Sequence, residues 1–208
     1  MGILTERDAA WWIAMEEQVS AHLVDLADYG FVVDHSCLRH GWTDDPRVLL
    51  RRRAAEALVR ARDTLPDGCN FKVFDGWRPW AIQQRCADQA EAQIRDAHPE
   101  WSEARVAEHV ARMAPRIRIV PHLGSHRYGG AVDLTIVGPD GAELDMGVPV
   151  DYCTGPEADL LHYHLMPDLG DAERLCRENR SMLISAMAAG GFDPYLPEFW
   201  HWGYRGDL

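Results

Sequence analysis

The run Ala131-Val132-Asp133-Leu134-Thr135-Ile136-Val137 sets a carboxylate third in an otherwise β-rich, largely apolar stretch. Aspartate is a poor strand former, and taking its charge out of water costs several kcal/mol unless something compensates it. Any fold for this chain must therefore give Asp133 an arginine partner, an edge position facing water, or a metal ion.

The preceding segment bears on that choice. Gly124-Ser125-His126-Arg127-Tyr128-Gly129-Gly130 puts an imidazole on a flexible loop just upstream, and its glycines let the chain bend so that His126 and Asp133 converge. Imidazole with carboxylate suits Zn2+, which in catalytic sites takes three protein ligands and keeps one position open. A third ligand and a base must come from elsewhere, and Pro197-Glu198-Phe199-Trp200-His201-Trp202 offers both an acid and an imidazole. Residues three apart face opposite ways on a regular strand, so Glu198 is expected at the strand entrance, where Pro197 cannot donate to a ladder. A plainer reading of this stretch is an aromatic strand with one satisfied core histidine. That accounts for the tryptophans but not for the acid.

Composition limits the partners. The net charge of -12 argues against nucleic acid, which needs clustered Lys and Arg. Acidic residues interrupt the first thirty positions, so no secretory apolar run is expected there, and no stretch is long enough to span a membrane. Five cysteines, at 37, 69, 86, 153 and 176, show no framework spacing and fit reduced thiols in a cytoplasm.

The chain reads as one α+β domain over 1–208, with a helical amino-terminal part to about 115 and a metal-binding sheet part from about 116. The sheet is expected to be small, antiparallel and flanked by helices. Helices are expected over 5–29, closed by Gly30, and from Pro46 to Leu65, then over 79–97, 99–113 and 171–190. Strands are expected at 71–74, 116–120, 131–137 and 199–204, with Gly138-Pro139-Asp140-Gly141 turning the third into a hairpin with 142–146. His162-Tyr163-His164 would set two imidazoles on one face if it were a strand, although a surface or helix-start role is the plainer reading. His122 has no spacing argument behind it, and Cys153 has no base to activate it.

The ordered set Ser125-x-His126-x-x-Gly129-x-Ala131-x-Asp133 and Glu198-x-Trp200-His201 resembles the zinc D-alanyl-D-alanine dipeptidases of the vancomycin-resistance type, grouped with the D,D-carboxypeptidases and hedgehog-like zinc domains. Asp75-Gly76-Trp77-Arg78-Pro79, Asp145-Met146-Gly147 with Asp151, and Asn179-Arg180 through Gly191-Phe192 extend it over most of the chain from about Leu49. The resemblance implies one Zn2+ per chain held by His126, Asp133 and His201, with Glu198 as general base and Arg78 as the group that stabilises the tetrahedral intermediate. It further implies Asp151 as a buried anchor for the substrate's ammonium, with Ser125 and Tyr29 also in the substrate site. The expected activity is hydrolysis of a small dipeptide, D-alanyl-D-alanine first. The competing readings are an amidase or peptidase on another small D-configured or modified dipeptide, and a hedgehog-like zinc domain that binds without turnover.

Overall fold

A computed structural model describes residues 14, 16–113 and 125–207. The elements in chain order are β1 (Leu23–Asp25), β2 (Val32–Val33), α1 (Ser36–Arg39), β3 (Leu49–Arg51), α2 (Arg52–Arg62), β4 (Asn70–Asp75), α3 (Trp80–Ala97), α4 (Glu103–Met113), β5 (Ala131–Val137), α5 (His162–Leu165), α6 (Asp171–Gly190), β6 (Phe192–Pro194) and β7 (His201–Tyr204). The fold is α+β.

The main sheet runs β2-β4-β5-β7-β6, and β1 pairs with β3 in a separate ribbon. Every neighbour in the main sheet is antiparallel except β2, which lies parallel to β4, so the sheet is mixed and not wholly antiparallel as expected. Strand β5 lies at its centre and is buried along its whole length, which leaves Asp133 no water-facing edge. Val132, Leu134 and Ile136 enter a core shared with Phe71, Val73 and Trp202. Helix α2 buries Ala54, Ala57, Leu58 and Ala61 and packs on α6, where Gly190 has its ideal Cβ position only 2.7 Å from Ala61 Cβ. A second, smaller cluster joins α3 and α4 through Ala87, Ile94, Val106 and Val110, and reaches the body at Cys153.

Several boundaries differ from expectation. The helix expected over 5–29 is helical at 16–20, but Leu23–Asp25 is strand β1 and Leu26–Tyr29 a 3-10 turn capped by Asp25 and closed by Gly30. The helix expected from Pro46 begins only at Arg52, because Leu49–Arg51 pairs with β1. In both places the apolar residues that fit a helical period also fit a three-residue strand, which is too short to display its own period. The turn after β5 is followed by a single bridge, Val137 to Glu143, instead of a full hairpin. The terminal strand starts at His201, not Phe199. His162–His164 lies in a short helix, not a strand. Residues 1–13, the strand expected at 116–120, and His122 fall outside the described residues.

Candidate metal centre

Sheet register gathers the site. Asp75 on β4, Asp133 on β5 and His201 on β7 are direct cross-strand partners, one row across three neighbouring strands. A register shift between Val73 and Asp75 brings Asp75 into that row. His126 arrives from a 3-10 turn (His126–Tyr128) that ends at Gly129 in the left-handed region, with φ of 65°. A Cβ at Gly129 would come within 2.8 Å of Leu23, so the turn needs glycine for both conformation and space.

The three residues converge. His126 Nε2 lies 3.1 Å from Asp133 Oδ2 and 3.0 Å from His201 Nδ1, and His201 Nδ1 lies 3.0 Å from Asp133 Oδ1. His126 Nδ1 is 2.6 Å from the Gly76 carbonyl, which can only accept, so Nδ1 carries the proton and Nε2 keeps its lone pair. A histidine ligand is oriented in this way when its other nitrogen donates to a carbonyl. Gly76 itself admits no side chain, since a Cβ would stand 2.3 Å from Leu49 O. Burial alone would raise the Asp133 carboxyl. The charge and hydrogen bonds of His126 and His201 outweigh it and hold the group far below the usual carboxylate range. His201 is pushed down by burial, against the pull of Asp133. Two imidazole nitrogens and a carboxylate facing one point form a donor set that fits a borderline cation.

The surroundings are charged and mostly buried. Arg78 Nε and Nη2 lie 2.6 Å and 2.5 Å from Asp75 Oδ2, and Nη2 is also 3.2 Å from Asp133 Oδ2. Its Nη1 donates to Gln83 Oε1 at 3.1 Å and meets Cys86 Sγ at 3.4 Å. Burial would weaken the guanidinium's hold on its proton, but Asp75, Cys86 and Asp133 reverse that and keep it charged. Glu198 sits in the turn before β7, buried, with Oε2 4.0 Å from His201 Nδ1. It thus lies beside the convergence point, outside hydrogen-bonding range of the His201 imidazole.

Residues 27–208 match the protein family described as D-ala-D-ala dipeptidase. The chain belongs to that family. It is a metallopeptidase. Among curated proteins it is similar to a D-alanyl-D-alanine dipeptidase of Synechocystis sp., 28% identical over 174 residues that cover 76% of this chain and 70% of the relative. Among solved structures it is similar to a vancomycin-resistance D,D-pentapeptidase, a mutant in complex with Zn(II). That likeness has a TM-score of 0.43 and 22% identity, over 79% of this chain and 76% of the other.

Within this family member, a cavity of about 170 Å³ opens beside the convergence point. Ser125, Arg78, Asp151 and Glu198 line it with the three converging residues. Asp151 stands exposed on the rim, not buried as expected, with φ of 69°. Ser36 Oγ donates to its Oδ2 at 3.0 Å. Crowding of the carboxyl in the concave mouth, then the negative charge of Asp133, push Asp151 above the usual range, while solvent at the rim softens the effect. Tyr29 does not line the cavity. Its hydroxyl lies 3.5 Å from Arg52 and its carbonyl accepts from Arg62. His162 and His164 lie away from the cavity, and His164 Nε2 pairs with Ser181 Oγ. Cys153 does line it, but burial and the Glu198 charge push its thiol up to about 11, so it stays protonated at neutral pH.

Sequence reasoning gave no role to Asp75, Ser36, Cys37 or Gln83. Asp75 carried a usable signal, because Phe71-Lys72-Val73-Phe74-Asp75 ends a strand in an acid three residues before Arg78. The other three are ordinary polar residues on helices α1 and α3, and only the fold brings them to the cavity.

Proposed function

We propose that this protein is a zinc-dependent dipeptidase acting on a small D-configured dipeptide, with D-alanyl-D-alanine as the leading substrate. The observation that carries the reading is the convergence of His126 Nε2, His201 Nδ1 and Asp133 within 3.1 Å of one another, beside a buried acid and a buried guanidinium. Those three residues would hold the metal, one ion per chain at this site. When bound there, zinc supplies Lewis acidity toward water and a peptide carbonyl. Glu198 then acts as the proton carrier, taking a proton from the attacking water and delivering it to the leaving amine.

Arg78 stabilises the developing oxyanion. Its Nη1 donors rest on a neutral amide and a thiol, partners that a charged oxygen displaces at little cost, while Asp75 keeps the guanidinium plane fixed. Asp151 receives the substrate's free ammonium at the rim, and Ser125, which also lines the cavity, contributes to the substrate site. The five free cysteines support a reducing compartment such as the cytoplasm. No helix of the described residues is long and apolar enough to cross a membrane.

The test is a panel of dipeptides in all four stereochemical forms, free and N-acetylated, given to zinc-loaded protein with amine release as the readout. Preferred cleavage of free D-alanyl-D-alanine is expected. Cleavage of acetylated and free forms at equal rates would move the protein toward carboxypeptidase or amidase chemistry, and no cleavage of any member would favour zinc binding without turnover.

A further inference from the structure

A second set of ligating side chains stands behind Arg78. His35 precedes α1, Cys37 lies in its first turn, and Asp75 ends β4; one ligating atom from each falls within 4.8 Å of the others. Cys37 and Asp75 are buried, and the Cys37 thiol approaches Asp75 Oδ2 at 3.7 Å. His35 Nδ1 is 3.1 Å from the Asp45 carbonyl, so the proton sits on Nδ1 and the lone pair stays on Nε2. The Gly76 carbonyl fixes the same tautomer in His126. The Asp45 carbonyl is itself held in place, since the Asp45 side chain accepts from the Arg47 backbone at 3.0 Å and from its guanidinium at 2.7 Å.

We propose that His35, Cys37 and Asp75 form a second metal site that inhibits the enzyme when filled. Thiolate, imidazole and carboxylate together select thiophilic divalent ions such as Cd2+ or excess Zn2+, and discriminate against Mg2+ and Ca2+. Binding replaces the Cys37 S–H bond with an S–metal bond, and the proton leaves to solvent. Asp75 Oδ2 is the oxygen to which both Arg78 Nε and Nη2 are bonded. An ion on that carboxylate competes with the guanidinium for it and sets a positive charge beside it. Arg78 is thereby released from the position in which it faces the cavity. Inhibition rests on the role proposed for Arg78; occupancy of the site does not.

The experiment titrates protein already loaded with one equivalent of zinc with Cd2+, following the ultraviolet thiolate-to-cadmium absorption, bound metal by dialysis, and dipeptide hydrolysis. Wild type should bind one further equivalent with a thiolate band, and its turnover should fall about tenfold or more, the scale on which outer-shell partners of a metal site act. Cys37→Ser and His35→Gln should each lose the band and the extra equivalent, and each should keep its own starting rate when Cd2+ is added. Cys86→Ser should leave the band intact, since that thiol also borders Arg78. No extra equivalent, or a band that survives both Cys37→Ser and His35→Gln, overturns the site. Filling without loss of turnover overturns its inhibitory role, and a protein inactive on every dipeptide still has the site decided by the band.

Discussion

Replacing Asp75 with asparagine separates the support of Arg78 from the metal ligands themselves. In the native protein Asp75 Oδ1 accepts the Gly76 N–H at 2.8 Å, and Oδ2 accepts two Arg78 donors. Asparagine keeps the shape but has one acceptor end and one donor end. If its oxygen serves Arg78, its amide faces the Gly76 N–H; if it is flipped, its amide faces the guanidinium. Either way a buried donor meets a donor and the ion pair is gone. Breaking one partner of a buried pair costs about 3–5 kcal/mol. Asp133 remains 3.2 Å from Nη2 and retains part of the compensation, so about 3 kcal/mol is expected. For a domain of this size that corresponds to a fall in Tm of about 6–12 °C. Arg78 should also be drawn toward Asp133, so kcat should drop about 10- to 100-fold with a smaller change in KM. Denaturant unfolding, steady-state kinetics and zinc analysis on one preparation give all three quantities. Zinc content should be unchanged, because Asp75 is not one of the three converging residues. A variant with the native unfolding midpoint and native kcat would show that Asp75 neither stabilises the fold through Arg78 nor positions it.

Other perturbations test other parts of the site. Asp133→Ala should lose most of its bound zinc and unfold earlier, because binding energy of a structural ligand set is folding energy; metal analysis and thermal melts check this. Arg78→Lys keeps the charge but loses the planar fork, so kcat should fall more than KM rises in steady-state assays. For Asp151, the ammonium needs the ionised carboxyl, so kcat/KM for the free dipeptide should decline as pH falls through a pKa above the ordinary ~3.9. Asp151→Asn should remove that acid limb and narrow the preference for free over acetylated substrate by about tenfold, a modest figure because the rim is exposed to solvent. Folding raises this carboxyl's pKa, so its ionisation costs stability as pH rises. Asparagine also tolerates a positive φ, and Asp151→Asn should therefore be neutral to slightly stabilising in a melt at neutral pH.

Asp133, His126 and Glu198 stood out in the sequence because each broke a local rule. Asp133 contradicts its strand, His126 sits on a loop flanked by glycine, and Glu198 interrupts an aromatic run, so each drew attention without the fold. The helices α3 and α6 were equally readable, being long enough for their period and their stops to register. What escaped was short or non-local. Strands β1 and β3 hold three residues each and β2 only two, and a helical reading absorbed the first two. Strand β6 ends in Pro194, which a strand tolerates only because it lies at the sheet edge. The approach of Ser36 to Asp151, 115 residues apart, depends on packing between elements. The expected place of Tyr29 in the substrate site rested on resemblance alone, and the fold puts that residue against Arg52 instead.

Glu198 is proposed to perform proton transfer beside a metal held by three other residues. Glu198→Gln preserves the size and hydrogen-bonding outline of the side chain and removes its basicity. The decisive measurement takes zinc content and D-alanyl-D-alanine hydrolysis on the same purified sample. One zinc per chain at the site, with turnover reduced by about 10²-fold or more, is the predicted result. Glu198→Gln that retains wild-type turnover would rule out proton transfer by this residue, and one that purifies without zinc would make Glu198 a metal-holding residue instead.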